Sequence, residues 1–213
     1  MREIIPRCNR EGPQESLNPL DGAYHPIRAG GKHMSPETLF RIHLVLGYVA
    51  WLLCFGVYLW PRLKSMDRLE AQRAIATLHS FRFFGLVFIL PGIVGPNLPA
   101  SFAVFAAYGD FATGILAILA LLTVGIRPVF WFFVVAFNLV GIADIVVDYY
   151  HAIQAGLPLA PGQLGATYAI PIIYVPLLMI THITAFYLLV RAPGRQMAGR
   201  DNAAEAPKPS LAH

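Results

Sequence analysis

Residues 100–124 read ASFAVFAAYGDFATGILAILALLTV. A run of that length with one charge is long enough to cross a ~30 Å hydrocarbon core as a helix. The charge is Asp110, about eleven residues in, so ~16 Å deep at 1.5 Å per residue. A carboxylate at that depth costs a few kcal/mol even on lenient insertion scales, so it faces protein rather than lipid. The helical phase agrees. Ala103, Ala106, Ala107, Asp110, Thr113, Gly114 and Ala117 share one face, and small residues are what close packing between membrane helices selects.

Outward from this segment the pattern repeats. Residues 129–150, VFWFFVVAFNLVGIADIVVDYY, form a second such run and carry Asn138 and Asp144. Further apolar runs cover about Leu39–Trp60, Ser80–Leu98 and Thr167–Val190. Of the 213 residues 56% are hydrophobic and 13% charged, about half the charge of a soluble domain. The sequence therefore predicts an all-α bundle of five transmembrane helices over 39–191, with spans at about 39–60, 80–98, 99–124, 129–150 and 167–190. Polar tails flank it at 1–38 and 192–213.

The punctuation fits this division. Ser35, Pro36 and Glu37 form a helix start, and Pro61 reads as the end of the first span. Asp67 and Glu70 have capping-box spacing at the head of a short polar helix, Ser65–Leu78. PGIVGPNLP, from Pro91 to Pro99, breaks the second span near its end. A Gly/Pro-rich loop, AIQAGLPLAPGQLGA, precedes the fifth. No internal repeat supports an inverted-repeat transporter.

Charge placement sets an orientation. Arg62, Lys64, Arg68 and Arg73 follow the first span, Arg127 the third, and Arg191, Arg195, Arg200 and Lys208 the fifth. The other two loops hold no Lys or Arg. The positive-inside rule then puts the N-terminus outside and the C-terminus in the cytoplasm, as in a bacterial inner-membrane protein. Arg2, Arg7, Arg10, Arg28 and Lys32 in the N-terminal tail run against that rule. The opening residues have no apolar h-region of a cleavable signal. The basic residues form no aromatic-interleaved stripe, so no nucleic-acid partner is expected. Cys8 and Cys54 make no disulfide framework.

In this orientation the intramembrane polar groups gather in the outer half, with Arg82 the exception near the cytoplasmic end of the second span. Asp110, Asn138, Asp144 and His182, with Tyr108 and Tyr174 as lesser candidates, would line a site for a small lipophilic ligand, a cation or a proton. Arg41, Arg82 and His182 are the candidate partners of the buried acids. A structural Asp–Arg or Asp–Asn bond that locks the bundle is the competing account.

Gly141, Asp144, Asp148 and His151 share a face of the fourth span. Asp144, Asp148 and His151 have donors suited to a divalent metal, with His182 as a fourth. The alternative is that Asp148 and His151 belong to an interfacial belt beside Tyr149 and Tyr150. Gly141-x2-Asp144-x3-Asp148 also resembles the aspartate motifs of membrane alcohol-phosphate and prenyl transferases, which hold a metal–diphosphate. That resemblance covers eight residues and lacks the upstream Asp and Ala-Arg elements. His182 as a haem ligand needs a second histidine at matching depth. His43 lies too far outward and His79 near the other side. No cofactor is assigned by the sequence. The remaining reading is a non-catalytic subunit of a larger membrane assembly, joined through residues 1–34.

Overall fold

The computed structural model describes residues 34–191. Of the expected tail at 1–38 and its partner surface at 1–34, residues 1–33 lie outside the described residues, as does the tail at 192–213. Among those described, every element is helical. Four helices are long and apolar enough to cross a membrane, Pro36–Ser65, Ala100–Leu122, Arg127–Gln154 and Ile170–Val190.

The first of these joins α1 (Pro36–Cys54), a π-turn (Phe55–Leu59) and α2 (Trp60–Ser65). Ser35 caps it as expected, its hydroxyl accepting from the Thr38 amide. Pro61 does not end it. Proline lacks an N–H and crowds the carbonyl four residues back. Here the wide turn absorbs that conflict, with the Trp60 amide donating to the Phe55 carbonyl. The device recurs before Pro176, where a π-turn (Ile170–Tyr174) leads into α6 (Val175–Val190) and the Val175 amide donates to the Ile170 carbonyl.

The second apolar run takes a different form from the one expected. The Asp67 carboxylate caps α3 (Arg68–His79), accepting from the Glu70 amide. A 3-10 helix, Ser80–Ile89, then continues it, and the chain turns through Leu90–Pro99. The rod therefore begins at Arg68, twelve residues before the apolar density starts. Its α3 half buries Ala71, Gln72, Ile75, Ala76 and His79. Gln72 survives there because its amide donates to the Ala185 carbonyl. Twelve α residues and ten 3-10 residues at ~1.5 and ~2.0 Å each give a length of about 38 Å.

The 3-10 helix packs along α4 (Ala100–Leu122), whose small-residue face is buried as the sequence predicts. Two glycines permit the approach. A Cβ on Gly114 would stand 2.9 Å from the Phe83 amide, and one on Gly85 would collide with the Asp110 carboxylate. On its next side α4 packs along α5 (Arg127–Gln154). α6 closes the bundle against α3, α5 and α1. Short 3-10 helices at Leu157–Leu159 and Pro161–Tyr168 cover the end where α5 passes to α6.

Candidate functional site

Placing Arg82 on a rod that starts at Arg68 moves it from the end of an element to its interior. It is 1% exposed, and three other elements converge on its guanidinium. Nε donates to Asp110 Oδ1 of α4 at 2.6 Å. Nη2 donates to Asp144 Oδ2 of α5. Nη1 donates to the Gly141 carbonyl at 3.2 Å and to His182 Nε2 of α6 at 3.1 Å. The fork geometry of arginine suits this, since five fixed N–H groups can serve several acceptors at once.

Because arginine only donates, His182 Nε2 accepts, and its Nδ1 carries the proton toward Asn138 Oδ1 at 2.9 Å. The Asn138 amide in turn donates to the Val134 carbonyl at 2.8 Å. The ring of His79 stacks on His182 with centroids 4.0 Å apart. His79 Nε2 bonds Thr181 Oγ1 at 3.0 Å, and its Nδ1 is buried with no partner. His79 thus lies beside His182 rather than toward the far end of its helix. The two rings touch, which leaves no gap for a haem between them.

Backbone without side chains makes room for this cluster. A Cβ on Gly109 would strike Asp144 Oδ1, and one on Gly141 would stand 2.5 Å from the His182 ring. Taking an arginine and two aspartates out of water costs several kcal/mol per ion, and only dense pairing offsets it. The clasp ties four rods together and meets that condition at every guanidinium nitrogen, while Asp144 Oδ1 is buried without a partner among the described residues.

Next to the clasp is a cavity of about 370 Å³. Its polar floor is Arg82, Asp110 and Asp148. Its walls are apolar and include Phe40, Phe88, Phe102, Ile145, Leu157 and Ile170. These belong to the bundle end that holds the start of α1 and the α5–α6 connection. Arg41 lines the rim and pairs with Glu37 at 2.5 Å. Tyr149, also in the wall, shares its hydroxyl with Tyr48 at 3.0 Å. Asp148 Oδ1 is buried and has no hydrogen-bond partner among the described residues.

The expected site residues therefore separate. Asp110 belongs to both clasp and cavity. Asp144, Asn138 and His182 join the clasp behind the floor. Tyr174 lies in a shallower groove with Phe81, Phe83 and Phe84. Tyr108 is 58% exposed, on the outward face of α4. The three metal candidates are not gathered. Asp144 bonds Arg82, while the His151 ring packs on Phe105 and Tyr150. Among the described residues no group of three or more His, Cys, Asp or Glu is arranged to hold a metal ion. The sequence carries a signal of the clasp in its glycine spacing. Arg82 and Gly85 sit three apart on one face, as do Gly141 and Asp144.

A family described as a domain of unknown function, DUF8737, matches residues 39–190. Neither a curated protein nor a solved structure matches the chain.

Proposed function

Since the chain belongs to the DUF8737 family, which brings no activity with it, we propose from the geometry that it is a membrane-embedded binding protein for a small lipophilic ligand. The observation that carries this reading is the cavity of about 370 Å³, walled by apolar side chains and floored by buried charged ones. Ligand sites run from roughly 300 to 1,000 Å³ and combine apolar walls with a few placed polar groups. In this reading Asp110 and Asp148 face the ligand. Asp144, Asn138 and His182 hold the floor in place.

The same reading takes the rod Arg68–Ile89 as a fifth crossing. Its length of about 38 Å exceeds a ~30 Å core, and Gln72, His79 and Arg82 turn inward and find partners, while Glu70 and Arg73 are exposed near its Arg68 end. With five crossings the basic loops lie on one side, so the cavity end faces outward across a cell membrane of the bacterial inner-membrane type.

Photolabelling in nanodiscs tests the proposal. A neutral naphthyl diazirine should label Ile145, Phe102 or Phe88 in the wild type and lose those sites in Ala152→Phe, which fills the cavity from α5. Labelling restricted to lipid-facing residues in both proteins sinks the reading.

A further inference from the structure

The charges around the cavity narrow the class of ligand, an inference that rests on the binding reading above. Arg82 is the one cation at the floor, and its bonds to acids go to Asp110 and Asp144. Arg41, the other cation in the wall, is turned to Glu37. A third acid, Asp148, stands one helical turn beyond Asp144 in the cavity wall with no ion pair. Asp148 Oδ1 is buried and accepts nothing from the described residues. Asp110 adds a second open acceptor. It is 6% exposed, lines the cavity, and spends Oδ1 on Arg82, while no described bond reaches Oδ2. The floor thus has more acceptors than the described residues have donors to fill them.

An apolar chamber with spare carboxylate oxygens complements a molecule with the opposite arrangement. We propose that the cavity takes a lipophilic amine in its protonated form, with the ammonium donating to Asp148 and Asp110 and the hydrocarbon body against Phe88, Phe102 and Ile145. A carboxylate or phosphate would meet the same acids with repulsion. A neutral hydrocarbon would fill the walls and leave the acceptors of the floor unfilled. Arg82 has a positioning role here, since it holds the Asp110 carboxylate at the floor through Nε.

The test compares two photoreactive probes of one shape in zwitterionic nanodiscs. One is a naphthyl-ethyl primary amine bearing a diazirine, whose ammonium has three N–H groups, and the other replaces that ammonium with a methyl group. The amine should label the cavity at a concentration about tenfold or more below that of the neutral probe, the increment of a hydrogen bond to a charged group. In Asp148→Asn, which leaves the Arg82 pairs intact, that preference should vanish while the neutral probe still labels. Equal labelling by both probes in the wild type, or an amine preference unchanged in Asp148→Asn, overturns the ammonium assignment and leaves the cavity reading standing. Failure of both probes to label any cavity residue, with Ala152→Phe indistinguishable from wild type, overturns both.

Discussion

The carboxylate of Asp144 occupies the space in which a side chain on Gly109 would begin. The two residues come from neighbouring helices, so this one missing methyl sets how closely α4 and α5 meet. Gly109→Ala should push Asp144 away from Arg82. Breaking a buried ion pair costs roughly 3–5 kcal/mol, so thermal unfolding in mild detergent should shift sharply downward. Gly56→Ala is the control, because nothing lies within 4 Å of its added methyl. Equal melting temperatures for the two variants would refute the assigned role of Gly109.

Arg82→Lys should be nearly as damaging as Arg82→Gln. A lysine has one nitrogen to offer where the guanidinium reaches Asp110, Asp144, Gly141 and His182 through three. The informative comparison is Arg82→Gln alone against the triple variant with Asp110→Asn and Asp144→Asn. Removing the acids as well should recover part of the loss, since uncompensated buried charge is the larger penalty. Unfolding measurements on this series would count against an ion-paired clasp if the losses simply added.

His182 should be held in one tautomer, with the proton on Nδ1 toward Asn138 and Nε2 accepting from Arg82. Nitrogen-15 NMR of the histidine ring reads this directly. Asn138→Leu removes the acceptor of the Nδ1 proton and should broaden or move that signal, with a stability loss of about 1–3 kcal/mol for the stranded donor. A mixed tautomer population in the wild type would contradict the bonding pattern.

Five crossings make a prediction about sidedness. In a chain with Cys8 and Cys54 replaced by Ser, Met66→Cys and Gly125→Cys should react with an impermeant thiol reagent from one face of the membrane. Asn97→Cys and Gly162→Cys should react from the other. If the rod Arg68–Ile89 stays on one side, Met66→Cys and Asn97→Cys will label together.

Much of this architecture is legible in the sequence. The long apolar runs locate α1, α4, α5 and α6, and the alanine face of α4 turns Asp110 inward. Tyr108, two residues from Asp110 and so about 200° away around the helix, could have been set aside on phase alone. The second rod is where hydropathy fails. Its first half is buried through Gln72 and His79, polar side chains that become compatible with the interior only through Ala185 and Thr181 on another helix. A scale that scores residues singly cannot see partners a hundred positions away. Misplacing the start of that rod misplaced Arg82 and His79, and with them the centre of the site. The π-turns are hidden for a related reason. Pro61 and Pro176 announce a break, but whether the chain stops or widens depends on what packs there. At the second π-turn the Trp51 indole donates to the Ile173 carbonyl.

On the binding reading, the clasp at Arg82 also determines what kind of traffic the cavity would carry. With Arg82, His79 and His182 each 1% exposed or less, the described residues close the chamber on the side of the clasp. Whatever enters must leave by the mouth it came in through. Occupancy of such a vessel reports concentration on one side of a barrier. Turning it into a passage would mean opening the one knot that four of its rods share.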